Sequence, residues 1–402
     1  MSQPKECCPV LLGGRAKFCT AGGATVGRPF SYEIPPSQEH RWILVGPVVW
    51  THLMLQHTEH RVPNAEVQTI VIPTSLRTAF MLIALGALSS PTVDAQQVSF
   101  PVCQQLEDWA PQLAGGDTLG MVAGVAMDPM GRVVAFRRAG RPFSPVGDAP
   151  IDRPAVLILD PATGAVLSSW GEDVFLVPHG IAFDSQGNAW LTDTGLQQVL
   201  AFDADGVPIL AVGQARVAGD DARHFDRPSG ATVAEDGSFY VSDGYGNSRV
   251  MHFSAEGHLL NQWGVSGDGE AEFRLPHGIV LGQDGLVHVA DRENSRIQTF
   301  DRTGRFIRLW DDPGLGRPYA MIETDPSSIW RGLWLVSSRS VAVDGRAWSR
   351  VNVVNPQGRV IGYFGERHGG PNVPLLGHGI AVASDGAVYL SGSQGLIKFE
   401  CR

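Results

Sequence analysis

Val177-Pro178-His179-Gly180-Ile181, Leu275-Pro276-His277-Gly278-Ile279 and Leu376-Gly377-His378-Gly379-Ile380 are three versions of one pentapeptide. Their histidines stand 277 − 179 = 98 and 378 − 277 = 101 residues apart. So constant a spacing marks a repeat architecture, and a histidine returning at one point of the repeat suggests a site on its symmetry axis.

Between the three copies a finer layout recurs. An apolar run ends at Asp-x-x-Gly or Asp-Gly, a second ends in a polar loop, a third comes next, and after a Gly turn a fourth closes on Trp-Gly or similar. The first unit has its runs at 124–128, 133–136, 156–159 and 166–170, the second at 181–184, 189–193, 198–202 and 208–212. Two more units cover about 222–264 and 269–311, and a less regular fifth about 316–365. The sixth, from about 371, has only three runs, at 380–383, 388–390 and 396–399.

Short runs rich in Val, Ile, Phe and Tyr, bounded by Gly and Asp turns, are β-strands joined as hairpins. Four strands per unit of about 45 residues is the arithmetic of a β-propeller blade. The expected fold is all-β: a six-bladed propeller of four-stranded blades over residues 96–402. An open ring would expose two unpaired strand edges. The stretch 99–106 is therefore expected to supply the missing outer strand of blade six. This sets Cys103 beside the strand ending at Cys401, as a disulfide or as two thiols. A Cα separation much above 7 Å would exclude the bond.

Composition agrees with such a chain. Its 402 residues are 18% charged and 43% hydrophobic, ordinary for a globular protein, and 48 Gly with 27 Pro supply many tight turns. The net charge of −10 argues against a nucleic-acid partner, which calls for a clustered basic surface.

Residues 1–75 are unlike the repeats. They hold Cys7, Cys8, Cys19, His40, His52, His57 and His60, but no CxxC or HxxxH spacing that would make a metal module. Residues 76–95 read as a secretory signal peptide: Arg77, an apolar run over 79–88, and the small-x-small site Val93-x-Ala95. The run is too short to span a bilayer. A leader belongs at a chain start, so translation is expected to begin just upstream of Arg77, with residues 1–75 a misassigned extension. The expected destination is export, periplasmic or secreted, which permits a Cys103–Cys401 bond.

The histidines belong to blades two, four and six. Alternate blades of a six-fold ring lie about 120° apart, so three side chains reaching the axis converge on one point. A single buried histidine is usually a hydrogen-bonded core residue. Packing alone gives no reason to skip blades, yet blade three has Arg227-Pro228-Ser229-Gly230 at this point and blade one Val122-Ala123-Gly124. Three imidazoles with an open fourth position are the arrangement of a catalytic metal, with zinc favoured for all-imidazole ligation. Loops after the second strands face the same mouth and carry Tyr245, Arg292 and Arg138. A tyrosine and two arginines near a metal suit an anionic substrate and a base of lowered pKa. Arg249 and Arg296, in Asp-x-x-x-x-Ser-Arg and Asp-x-x-x-Ser-Arg segments, are expected in solvated turns with internal ion pairs.

Residues 177–193, 242–249 and 276–298 together resemble the peptidyl-α-hydroxyglycine α-amidating lyases, the NHL-repeat lyase half of peptidylglycine α-amidating monooxygenases. The motifs carrying the likeness include Val-Pro-His-Gly-Ile, Ser-Asp-Gly-Tyr-x-Asn-Ser-Arg and Ala-Asp-Arg-Glu-Asn-x-Arg-Ile-Gln. The resemblance implies cleavage of a C-terminal α-hydroxyglycine N–Cα bond, giving an amide and glyoxylate. It implies His179, His277 and His378 as zinc ligands, Tyr245 as the base, and Arg138 and Arg292 as the active-site arginines. The substrate would be a peptide or small molecule ending in α-hydroxyglycine. No monooxygenase domain fits before Gln96, so a separate monooxygenase would supply it.

Three positions depart from the family pattern. Leu376 replaces a methionine two residues before the third histidine. Gly379 replaces an aspartate that ligates calcium, leaving only backbone oxygens at Val125 and Ile181 for that ion. Two loop disulfides are absent, their positions taken by Asp226, Gly246, His288 and Thr299. The other reading is thus a non-catalytic exported NHL propeller that binds a peptide or protein partner. Retention of Tyr245, Arg138 and Arg292 favours the enzyme, while Leu376 and Gly379 favour the binder.

Overall fold

The computed structural model of the protein describes residues 100–402, apart from 145–146, 342–344, 370–376 and 394. The expected leader, the segment before it and Leu376 lie outside the described residues. Among the described residues no helix is long and apolar enough to cross a membrane.

Six antiparallel four-stranded sheets succeed one another around a ring. Blade 1 is Val122–Met127, Val133–Arg137, Val156–Leu159 and Val166–Trp170. Blade 2 is Pro178–Phe183, Ala189–Asp193, Gln198–Phe202 and Pro208–Val212. Blade 3 is Gly230–Val233, Phe239–Asp243, Arg249–Phe253 and Leu259–Trp263. Blade 4 is Pro276–Leu281, Val287–Asp291, Arg296–Phe300 and Phe306–Trp310. Blade 5, which the sequence pattern renders least regular, is Arg317–Glu323, Trp334–Val341, Ala347–Val354 and Val360–Gly369. Its strands run to between 7 and 10 residues, which stretches the turn spacing away from that of the other blades. Blade 6 is Gly379–Val382, Val388–Gly392 and Gly395–Cys401, completed on its outer edge by Cys103–Gln105.

Side-chain burial explains why these runs become strands. The second strands of blades 1, 2, 3, 4 and 6 are buried along their whole length, whereas fourth strands alternate with solvent, as in Leu259–Trp263 and Phe306–Trp310. The core is a ring of clusters lying between neighbouring blades. Phe136, Phe175, Leu191 and Phe202 fill one such wedge, and Trp310, Leu315, Trp334 and Met321 another. Burying one large apolar side chain contributes about 1.5–3 kcal/mol, so the wedges hold neighbouring blades face to face.

The His-Gly pair has a steric cause. A Cβ on Gly180 would lie 2.9 Å from Thr192 Oγ1 and 3.0 Å from the Ser229 carbonyl oxygen, and one on Gly278 would lie 2.8 Å from the Tyr319 carbonyl oxygen. Neighbouring inner strands approach too closely at these points for any side chain.

The ring closes as expected. Cys103 stands directly opposite Cys401, with Gln104 opposite Glu400 and Gln105 opposite Phe399, and the two cysteines are bonded with Cα atoms 4.1 Å apart. The bond ties the ends of the propeller, 298 residues apart in sequence. Cross-links closing long loops restrict the unfolded chain most. The Cys103→Ser, Cys401→Ser double variant is expected to lose about 2–5 kcal/mol in equilibrium urea unfolding while keeping its β-rich circular dichroism.

The positions of the two absent family disulfides remain neighbours. Gly246 N–H donates to the Asp226 carbonyl oxygen at 2.9 Å. His288 and Thr299 are directly opposed, with Thr299 Oγ1 and His288 Nδ1 hydrogen-bonded at 3.1 Å. Hydrogen bonds thus join both pairs.

Candidate metal centre

One residue from each blade forms a layer around the central channel: Ala123, His179, Ser229, His277, Tyr319 and His378. The channel cavity is about 110 Å³. Imidazoles alternate with other residues, as the repeat spacing predicts. His179 and His277 lie inside the first turn of their inner strands, where the pairing skips between Pro178 and Ile181 and between Pro276 and Ile279. This bulge re-aims a side chain toward the axis.

The aspartates ending the second strands hold the approach to these bulges. Asp193 accepts hydrogen bonds from the N–H groups of Leu176 and Val177, and Asp291 from that of Arg274. Asp243 does the same for Asp226 in blade 3. Arg249 and Arg296 pair with Asp243 and Asp291 at 3.0 and 2.7 Å. The internal ion pairs are present, but the expectation of a solvated turn is corrected. Asp243 and Asp291 are fully buried and their arginines nearly so, because the carboxylates must sit under the strand start they tie down.

A hydrogen-bond pattern orients each imidazole. His179 Nδ1 meets the Ser229 carbonyl oxygen at 2.5 Å, His277 Nδ1 that of Tyr319 at 2.7 Å, and His378 Nδ1 that of Ala123 at 2.7 Å. In every case the acceptor belongs to the same layer in the next blade. A carbonyl oxygen only accepts, so Nδ1 carries the hydrogen and Nε2 is left with its lone pair. The ring centroids are 4.9, 4.6 and 4.8 Å apart, a nearly equilateral triangle, and a ligand nitrogen of each lies within 4.8 Å of the others.

All three histidines are buried. Burial, followed by the neighbouring imidazoles and arginines, holds His179 and His277 well below the ordinary imidazole value. Burial and Arg138 bring His378 down to about 3. Metal ligation needs neutral imidazole with the second nitrogen anchored by a hydrogen bond. The donor set fits a metal ion with a position left open.

Tyr245 comes just after the second strand of blade 3. Its hydroxyl lies 3.0 Å from His179 Nε2 and 3.1 Å from His277 Nε2, and Arg292 Nη1 donates to it at 3.5 Å. Burial raises the phenol pKa above its ordinary value despite the opposing pull of Arg292 and then Arg138, so the two arginines alone do not give the lowered value expected from the sequence. Arg138 and Arg292 each come first after a second strand, in blades 1 and 4 on opposite sides of the ring. Their surroundings differ. Arg138 is buried, donates from Nε to the Pro178 carbonyl oxygen at 2.9 Å and from Nη1 to Met121 Sδ at 3.3 Å. Its guanidinium lies 5.0 Å from the Phe143 ring, which itself is 4.8 Å from that of Tyr245. Arg292 lies between two phenol rings, 5.5 Å from that of Tyr245 and 4.8 Å from that of Tyr319.

The sequence reading misses Phe143 and Tyr319. Phe143 stands in a blade 1 loop with no counterpart in the repeat. Tyr319 is legible: Arg317-Pro318-Tyr319-Ala320-Met321 aligns with Leu275-Pro276-His277-Gly278-Ile279, so a tyrosine holds the histidine position in blade 5.

The calcium expectation fares differently from the metal one. Val125 and Ile181 line the channel beside the histidine layer, but no carboxylate is among the described residues lining it. At Gly379 a Cβ would lie 2.7 Å from Ser391 Oγ and 3.1 Å from the Val125 nitrogen. Calcium takes six to eight oxygens, normally with carboxylates among them. These residues do not fit that ion.

Residues 225–253 and 273–300, in blades 3 and 4, match the NHL repeat. Peptidyl-glycine alpha-amidating monooxygenase B of Xenopus laevis is 31% identical over 291 residues, covering 68% of this chain and 33% of that relative. The chain therefore spans about a third of the length of that protein. A probable peptidyl-alpha-hydroxyglycine alpha-amidating lyase of Caenorhabditis elegans is 31% identical over 294 residues, covering 68% of this chain and 80% of the relative. A solved gluconolactonase of Xanthomonas campestris matches with TM-score 0.50 at 16% identity, over 75% of this chain and 90% of its own, a likeness of fold alone. Coverage of four-fifths of the nematode protein, by a propeller with three channel histidines, shows that this chain belongs to the peptidyl-α-hydroxyglycine α-amidating lyase family.

Proposed function

We propose that this chain is a zinc-dependent lyase that cleaves the N–Cα bond of a C-terminal α-hydroxyglycine, releasing an amide and glyoxylate. The observation that carries the reading is the Tyr245 hydroxyl, within 3.0 and 3.1 Å of two histidine Nε2 atoms and flanked by Arg292. A purely structural metal site has no use for a phenol and a cation at its open side. The names of the nematode and amphibian relatives point to the same chemistry.

His179, His277 and His378 would hold the zinc, which all-imidazole ligation favours. When bound, it supplies Lewis-acid polarisation of a substrate oxygen. Tyr245, as phenolate, accepts the α-hydroxyl proton. The electrons of that O–H bond form the aldehyde C=O, the N–Cα bond breaks with its pair going to nitrogen, and the proton returns from Tyr245 to the amide nitrogen. An N-acyl-α-hydroxyglycine thus becomes an amide plus glyoxylate, with nothing added or lost.

Arg292 stabilises the phenolate and binds the substrate carboxylate. Arg138 acts through space: its Nε is committed to Pro178 and its face to Phe143, but its charge still favours an ionised Tyr245. The chain works after export, in keeping with the leader-like residues 76–95 and the Cys103–Cys401 bond. No role for calcium is part of this reading.

The test is glyoxylate release from an N-acyl-α-hydroxyglycine by the zinc-loaded protein. A folded, zinc-replete sample that releases none overturns the lyase reading and leaves the peptide-binding propeller.

A further inference from the structure

We propose that Glu293 is a positioning residue for Arg292, holding its guanidinium so that the outer nitrogens address Tyr245 and the substrate carboxylate. The proposal rests on the lyase reading above and adds to it a group that touches neither metal nor substrate.

Glu293 lies in the short turn Arg292–Asn294 that comes directly after the second strand of blade 4. Adjacent side chains normally point apart. Here the turn brings them together, and the Arg292 Nε–H donates to Glu293 Oε1 at 2.9 Å. The second carboxylate oxygen is 3.3 Å from Arg317 Nη1. Arg317 opens the inner strand of blade 5, two residues before Tyr319, whose ring lies 4.8 Å from the Arg292 guanidinium. The turn is pinned from beneath, because Arg292 N–H donates to the Leu275 carbonyl oxygen and Glu293 N–H to that of Arg274, at 3.2 and 3.0 Å. Those acceptors belong to the segment that leads into His277.

Arg292 is thus fixed at three points: its backbone, its Nε edge and one face. What projects is the terminal pair of nitrogens, of which Nη1 donates to Tyr245. A guanidinium on three methylenes has many rotamers, and a bidentate grip on a carboxylate needs only one. Glu293 supplies the restraint, and Arg317 restrains Glu293.

The test compares the zinc-loaded wild type, Glu293→Ala, Glu293→Gln, Arg292→Ala and the Glu293→Ala, Arg292→Ala double variant. Two substrates serve, an N-acyl-α-hydroxyglycine and its methyl ester, which lacks the carboxylate. Glu293→Ala is expected to lower kcat/KM for the acid roughly ten- to hundredfold, the scale of one charge-assisted hydrogen bond, and to lower that for the ester far less. Glu293→Gln keeps an acceptor for Nε–H and recovers part of the loss. In the Arg292→Ala background Glu293→Ala costs nothing further. Zinc content and the urea midpoint should match the wild type throughout.

Equal losses on acid and ester, or a full Glu293→Ala loss on top of Arg292→Ala, would overturn the proposal while leaving the lyase intact. A wild type that releases no glyoxylate from either substrate sinks the lyase reading itself, a different and separable result.

Discussion

His277→Ala is expected to cost the channel its proposed zinc and to take glyoxylate release below detection. Structural zinc bound by four ligands contributes about 10–16 kcal/mol, so one ligand is worth about 2.5–4 kcal/mol, or two to three decades of affinity. His277 also holds more than a metal ligand's position. Its Nε2 is one of two nitrogens that meet the Tyr245 hydroxyl, at 3.1 Å, and its Nδ1 is tied to the Tyr319 backbone at 2.7 Å. Removing the ring is therefore expected to unseat the metal and to leave the phenol hydroxyl with His179 and Arg292.

The measurement is metal content per chain by atomic absorption after dialysis, beside glyoxylate release. Wild type should carry one zinc and His277→Ala far less than one. Stoichiometric zinc in a folded His277→Ala would show that the three imidazoles are not the ligand set. His179→Ala and His378→Ala should lose zinc likewise, because the three rings form a nearly equilateral triangle and each is fixed by the next blade's carbonyl.

That equivalence also explains what is legible without coordinates. The pentapeptide stands out because two constraints coincide in it. The glycine is demanded by the close approach of neighbouring inner strands, the histidine by the axis. Either alone would be a weak signal; together they mark a repeat, and the four-strand layout between the copies gives the blade count. The Cys103–Cys401 pairing is legible for a similar reason, since a ring with one strand missing must close and only one segment lies at the right end of the propeller. Contacts made across blades without a repeat leave no such trace. Phe143 reaches Tyr245 and Arg138 from a loop unlike any other in the propeller. The burial of Arg249 and Arg296 escapes the sequence because a polar Asp…Ser-Arg loop looks like a surface turn, whereas each aspartate is spent on pinning the strand that begins the same blade. Tyr319 shows the limit from the other side: its position obeys the repeat, but a tyrosine among histidines does not announce itself.

Tyr245→Phe is expected to lower kcat about 100- to 10,000-fold with zinc retained and KM little changed. The substitution deletes one oxygen. The remaining ring keeps its place, 4.8 Å from Phe143 and 5.5 Å from the Arg292 guanidinium. The lower bound is what general-base catalysis contributes at the least, and the upper what it commonly reaches. On the proposed reading substrate affinity resides in Arg292 and the metal, and Arg292 keeps its Glu293 and Tyr319 contacts when the phenol oxygen is lost, so the loss falls on kcat. Single-turnover glyoxylate release, with zinc content on the same sample, separates this variant from His277→Ala: both are slow, but only the histidine variant is short of metal. A Tyr245→Phe enzyme within tenfold of wild type in kcat would remove the phenol from the chemistry. The proton would then have to leave by another group, and among the described residues of the histidine layer the one other phenol is Tyr319, which shares Arg292 with Tyr245.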